Sequence, residues 1–490
     1  MSSTTHFPDP GNFQHQSNEF LTWLAGKPGV KINPKIQIAD LRSHAAGRGV
    51  VAQSDLDEGE ELFTIPRAHV LSVQNSNLKN LLSQNLDDLG PWLSLMVVMI
   101  YEFLQGDQSA WASYFRVLPR NFDTLMFWSA SELEELQGSA IVEKIGKQGA
   151  EESILESIAP IVRANPALFP PIDGVASYDG DAGTQALLHL AHTMGSLIMA
   201  YAFDIEKPED EEGDRDGEDG YLTDEEEEEQ SSKGMVPLAD LLNADADRNN
   251  ARLFQEEEVL VMKAIKPIKS GEEIFNDYGE IPRSDLLRRY GYVTDNYAQY
   301  DVVELSLDQI CQAAGLGSAD IETQPPLQFL EDLELLDDGY TIPRPSSPED
   351  PLADVLPDEL LLLLKTLSLP SDQLEKQRSK NKPPKPSFGD AEAAIFAKAL
   401  QLNQAQYATT IPQDQELLAQ LSQLEASGPV EGSVRRKKMA IQVRLGEKEI
   451  LYNLSFMLDK QFGAALQSNP LKRAANGDSD EPQRNKALRT

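Results

Sequence analysis

The chain has a single cysteine, Cys311, in 490 residues. That excludes an intramolecular disulfide and any zinc site built on several cysteines, and it suits a reducing compartment. Histidine is scarce too, with six. Only His189 and His192 fall at helical spacing, and neither has an acidic or thiol partner at a ligand-like offset. A packed or capping role is expected for them, and no metal. No stretch holds the roughly 18 consecutive apolar residues needed to cross a bilayer. The opening residues lack the charged and apolar segments of a secretory signal. A soluble, intracellular protein without membrane contact is expected. The last shortage is positive charge: 43 Lys and Arg stand against 80 Asp and Glu, for a net charge of −37. Such a chain repels nucleic-acid phosphates, so its expected partner is a basic protein and not a nucleic acid.

The length suits two or three domains, and a hydrophobic content of 40% is ordinary for a globular chain. Residues 1–17 read as a flexible polar arm, with a short amphipathic helix from residue 18 to 24. Residues 35–39, 47–52 and 61–66 read as strands joined by Gly-containing turns, so this part is β-meander and not βαβ. A helical insertion follows at about 75–185, with a strongly apolar stretch at 92–104. Residues 185–203 are again long and apolar. Between 206 and 232 the composition becomes almost entirely acidic, which predicts a disordered insertion able to attract a basic partner. Strand character returns at 259–264. From about residue 296 the pattern is helical, with candidates at 327–336, 358–367, 390–402, 414–424 and 438–458. The cluster from Arg435 to Lys448 is expected to form a solvated basic face. The tail, 468–490, is polar with basic residues toward both ends. It resembles a bipartite import signal, so the nucleus is the expected location and the cytoplasm a second one.

Three separated pieces carry the chemistry. The first is the turn Gly47-Arg48-Gly49. The second runs from Pro237 to Asn243. The third is Asn276-Asp277-Tyr278-Gly279, with Tyr290 shortly after it. Their order and spacing resemble the SET domain of protein lysine methyltransferases. More closely, they resemble the class built like Rubisco large-subunit methyltransferase, within its ribosomal-lysine branch. The resemblance implies an α+β fold. Residues 18–295 would form a β-rich SET domain, closed by a pseudoknot and interrupted by the helical insertion. Residues 296–467 would form an all-α substrate-binding domain. It implies S-adenosylmethionine as cofactor, cradled by the backbone of Gly47, Arg48 and Gly49. Asn243, Ala244, Tyr201 and Tyr290 are implied as further cofactor contacts. Tyr278 takes the catalytic position. Asp240 would offer its backbone carbonyl near the acceptor amine, and Phe203 and Tyr292 would be channel walls. The usual Asn-His pair is here Asn243-Ala244, which leaves a backbone contact possible and removes a side chain.

The residue types suit the chemistry on their own. Methyl transfer from a sulfonium to an amine is an in-line displacement. It needs a neutral amine, alignment and a dry channel. A lysine with a reference pKa of about 10.4 must first lose its proton, which aromatic walls and a neighbouring cation favour. The expected activity is lysine methylation of a basic protein, in first place a ribosomal protein, by a monomeric enzyme. The alternatives are a non-ribosomal or histidine acceptor, or an acidic scaffold without transfer activity.

Overall fold

The computed structural model describes residues 10–42, 47–206, 232–316, 319–428 and 430–468. Residues 1–9, the acidic insertion between 207 and 231, and the tail from 469 onward lie outside the described residues. The chain divides into two compact units. One comprises residues 1–133 and 141–298, the other residues 134–140 and 299–490.

The first unit opens with helix α1 (Phe13–Ala25), which buries Phe13, Gln16, Ser17, Phe20 and Leu24 in one stripe. The sequence places a flexible arm up to residue 17, but the helix already starts at Phe13. Its first turn has a tertiary anchor that periodicity cannot reveal. The guanidinium groups of Arg42 and Arg48 lie 4.0 and 3.7 Å from the Phe13 ring centre.

Short antiparallel strands follow: β1 (Lys31–Ile32), β2 (Ile36–Asp40), β3 (Arg48–Ala52), β4 (Glu61–Pro66) and β5 (Leu71–Ser72). Later in the chain come β6 (Ala202–Ile205), β7 (Ser232–Met235), β8 (Ala251–Gln255), β9 (Val259–Ala264) and β10 (Glu273–Ile274). They form three sheets, with orders β1-β4-β9-β8, β10-β3-β2 and β5-β7-β6. Strands distant in sequence thus share every sheet, and the unit closes only when residues 232–274 return to residues 31–72.

Between β5 and β6 lies the helical insertion. Helix α2 (Gly90–Leu104) is buried at every position from Ser94 to Ile100. A helix apolar all round belongs inside a core. It packs against α3 (Gly180–Tyr201). Helix α4 (Arg283–Tyr290) follows β10 and ends at Gly291, whose φ of +74° lets the chain reverse. A Cβ at Gly291 would come within 2.8 Å of the Thr124 amide nitrogen, so only glycine fits there.

The second unit is mostly helical. Its main helices are α5 (Leu307–Ala314), α6 (Asp358–Ser368), α7 (Asp390–Gln404), α8 (Ile411–Ser427) and α9 (Gly432–Ser468). It is not all-α, however. Strands β11 (Val302–Ser306) and β12 (Gly339–Pro343) pair along their full length. Val303 and Leu305 are buried and their neighbours are half-buried. That period-two pattern is too short to stand out beside the helices around it.

The basic cluster on α9 is also not a solvated face. Arg444 is 1% exposed and makes two bonds to Asp414, from Nη2 to Oδ1 at 2.8 Å and from Nε to Oδ2 at 3.1 Å. Lys448 joins the same carboxylate, and Arg444 also reaches Glu135 in the segment 134–140. Ser139 and Tyr407 both donate to Glu447 in the same region. This network ties α8, α9 and the segment 134–140 together. Removing one member leaves buried charge unpaired, which costs about 3–5 kcal/mol. Asp414→Ala is therefore expected to lower the stability of the second unit by that amount in a denaturant titration. A loss below about 1 kcal/mol, the range of exposed pairs, would show the network to be solvated.

Candidate active site

The site forms where residues 273–278 are laid against two earlier segments. Strand β10 pairs with β3, with Ile274 opposite Val50 and Glu273 opposite Val51. The chain then runs parallel to residues 243–245. The Asn276 amide donates to the Asn243 carbonyl at 2.9 Å, and Asp245 returns a bond to the Asn276 carbonyl at 3.2 Å. The Ala244–Asn276 pair is a parallel bridge. Asn250 adds a side-chain clamp. Its Oδ1 accepts from the Phe275 amide at 2.8 Å, and its Nδ2 donates to the Glu273 carbonyl at 3.0 Å. Held on both sides, the segment delivers Tyr278 to a cleft. Asp277 is exposed at the edge of the cleft, accepting from the Gly279 amide and from Asn249.

The cleft has a volume of about 470 Å³, and its walls include Trp92, Tyr201, Phe203, Asp240, Tyr278 and Tyr290. Tyr278 and Tyr290 stack, with ring centres 4.2 Å apart and planes 8° from parallel. Burial, reinforced by Tyr290 and Tyr292, pushes the Tyr278 phenol well above its ordinary value. The Tyr201 phenol is pushed up by burial and by Asp240. These hydroxyls therefore stay neutral at physiological pH, so they can orient a partner by hydrogen bonding but are not anionic bases. Lys233, Arg288 and Arg289 also line the cleft. Lys233 is paired with Asp204 and Arg288 with Asp285.

Asp240 is 4% exposed. The Tyr114 hydroxyl donates to its Oδ2, while its Oδ1 is buried without a partner. Burial raises its carboxyl from 3.8 to about 7, and the Tyr114 bond works against that rise. The sequence pointed to the backbone of this residue; its side chain is an equally notable feature.

A second cluster contains Gly47, Gly49, Asn243 and Ala244, none of which lines the cleft. Asn243 Nδ2 donates to Glu273 Oε1 at 2.6 Å and to the Arg48 carbonyl at 3.2 Å. A Cβ on Gly49 would lie 2.7 Å from Glu273 Oε1 and 3.0 Å from Asn243 Nδ2. Asn276 belongs to both groups, since it lines the cleft and bridges Ala244. Tyr278 thus follows the junction of the two clusters by two residues.

The side chain of Arg48 takes no part. It is buried and directed away, bonding Ser17 Oγ, the Val117 carbonyl and the Phe13 carbonyl. Only its backbone faces Asn243. Tyr292 stands behind Tyr290, with ring centres 6.4 Å apart, and is not among the cleft walls. Trp92, Tyr114, Glu273 and Arg288 were not singled out by the sequence. Trp92 and Tyr114 lie far from the motifs, and Glu273 and Arg288 lie beside them with nothing in one dimension to mark which way they point, so only the fold reveals them. Among the described residues no group of His, Cys, Asp and Glu is arranged to hold a metal ion.

Comparison with known proteins agrees with this geometry. Residues 47–279 match the SET domain family, and residues 323–451 match the Rubisco LSMT substrate-binding family. Ribosomal lysine N-methyltransferase 4 of Saccharomyces cerevisiae is 35% identical over 309 residues, covering 62% of this chain and 60% of that protein. N-lysine methyltransferase SETD6 of Rattus norvegicus is 29% identical over 465 residues, covering 89% of each chain. Among solved structures, the SET domain of LSMT bound to lysine and AdoHcy superposes with a TM-score of 0.65 at 20% identity. That match covers 96% of this chain and 97% of the other. Rubisco LSMT bound to AdoMet gives the same score over 95% and 97%. The chain belongs to the SET-domain lysine methyltransferases that carry a Rubisco LSMT substrate-binding domain.

Proposed function

We propose that the protein transfers a methyl group from S-adenosylmethionine to a lysine of a basic protein, and that a ribosomal protein is the acceptor. The observation that carries this reading is the position of Tyr278: a neutral, half-buried phenol in an aromatic cleft, two residues past the bridge to Asn243-Ala244.

The residues present fit the cofactor. Gly49 lacks the side chain that would collide with Leu41, Glu273 and Asn243, so the β3 backbone packs closely against an amide and a carboxylate. Gly47, Gly49, Asn243 and the backbone of Ala244 would hold its amino-acid and adenosyl parts. When bound, it supplies an electrophilic methyl group on a sulfonium. The remaining work belongs to this chain. Tyr201, Tyr278 and Tyr290 strip water from an entering lysine, which favours the neutral amine. The Tyr278 hydroxyl orients the amine, and fixed orientation of reacting atoms lowers the barrier by several kcal/mol. Asp240 is on the cleft wall, and its backbone carbonyl would accept a hydrogen bond from the amine as it arrives.

The ribosomal acceptor is supported by the yeast relative, which is named for a ribosomal lysine. The net charge of −37 would speed encounter with any basic protein, most strongly at low salt. The basic residues of the tail support a nuclear location, and the protein is taken to act as a monomer. Mass spectrometry of ribosomal proteins from cells lacking this protein tests the acceptor. One lysine should lose its methyl groups, and an unchanged set would remove the ribosomal assignment.

Two further outcomes are expected. Tyr278→Phe should keep the fold and cofactor binding yet lower methyl transfer to the basic protein fraction by about 100-fold. Unchanged turnover would take Tyr278 out of the reaction. Asp240 makes stability depend on pH. Its folded pKa is raised, so the proton it retains stabilises the fold fully below the unfolded value near 3.8. That contribution is lost as pH rises from there through about 7. Wild-type protein should therefore lose thermal stability relative to Asp240→Asn between pH 5 and pH 8. A difference in Tm that does not change with pH would contradict the burial of this carboxyl.

A further inference from the structure

Beside the cleft lies a second chamber of about 210 Å³. It lies side by side with the cleft: Trp92, Met199 and Arg288 line both. Its interior is largely apolar, with Met96, Leu125, Met126, Ile154 and Ala191 among its walls. Folded interiors seldom keep voids of this size, and an apolar void is a poor place for water. Thr124 is on the wall, and its hydroxyl is buried behind it. Ile154 begins a π-helical turn, Ile154–Ile158. Such turns re-aim side chains and cluster at functional sites.

We propose that this chamber is a substrate subsite: it receives one bulky aliphatic or aromatic side chain of the acceptor protein, close in sequence to the acceptor lysine. This rests on the lysine methylation proposed above. The chamber and the cleft share three wall residues and are immediate neighbours. An extended peptide advances about 3.3 Å per residue, so a residue within about four positions of the lysine can reach it. Charge excludes the other side-chain classes. The ionisable groups on the wall are His192 and Arg288. His192 is bonded to Glu151, and burial keeps it toward the neutral form. Arg288 is held by Asp285. An acidic or basic side chain would be desolvated there without a counter-charge, at a cost that an apolar one avoids. The acceptor would thus be chosen by a local apolar residue as well as by overall basic charge.

The test uses the full-length protein, S-adenosylmethionine and a peptide library with one fixed central lysine. Each flanking position is varied in turn, and methyl incorporation is read by mass spectrometry. Wild type should favour Leu, Met or Phe over Gly at one flanking position by about 10-fold or more, the usual value of a filled apolar pocket. Ala150→Trp fills the chamber from the short helix Lys147–Ser153 and should bring that ratio close to one. Ile154→Ala enlarges the chamber and should shift the preference toward larger side chains. Calorimetric S-adenosylmethionine binding checks that each variant is folded. Methylation without an apolar preference, or the same preference in both variants, overturns the subsite and leaves the enzyme reading standing. Methylation of whole proteins with every peptide refused also overturns it. A wild type that methylates neither peptides nor ribosomal proteins overturns the enzyme reading and the subsite together.

Discussion

The site depends on one backbone junction, the parallel bridge between Ala244 and Asn276. It joins the cluster of Gly47, Gly49 and Asn243 to the cleft. On one side of it, Asn243 holds the Arg48 carbonyl and the Glu273 carboxylate. On the other, Tyr278 stacks on Tyr290. Asn250 fixes the approach by bonding the backbone at both Phe275 and Glu273. The junction is long-range in sequence, so it exists only once the β3 sheet has received β10. Catalytic geometry is therefore tied to completion of the fold.

Much of what surrounds this junction is support. Arg48 illustrates it. A buried guanidinium is costly, and burial lowers its pKa to about 10. It is compensated by bonds to Ser17, Phe13 and Val117 and by the face of the Phe13 ring. The side chain thereby anchors α1 behind the strand whose backbone faces Asn243. Tyr114 does the same for Asp240, holding one carboxyl oxygen while the other is buried without a partner. Both side chains act on the site from beneath it.

The strands of the first unit were legible in the sequence because β2, β3, β4 and β9 carry apolar alternation or compact Val-rich runs. The main helices were legible for the same reason, although their ends moved. Helix α9 runs over Gly432–Ser468, well beyond the stretch its periodicity marked. Pairings were harder to read. β11 and β12 are separated by helices, so neither announces its partner. The SET motif brought Gly49, Asn243, Tyr278 and Tyr290 to attention through the resemblance. It said nothing of where charged side chains go. Arg48 and Arg444 look solvent-facing in one dimension and are buried in three, because their partners come from remote segments. Asp240 Oδ1 and Thr124 Oγ1, buried polar atoms without a partner, emerge only from the three-dimensional fold.

The central claim is that Asn243 and the Gly47–Gly49 backbone hold S-adenosylmethionine on the far side of the junction from the acceptor cleft. Calorimetric titration of S-adenosylmethionine into wild type and Asn243→Ala tests it most directly, without any acceptor. The account predicts saturable one-to-one binding by wild type and at least about 10-fold weaker binding by the variant, as expected for loss of a hydrogen bond to a charged ligand. Equal affinity in the two proteins, or no binding by wild type, would contradict it.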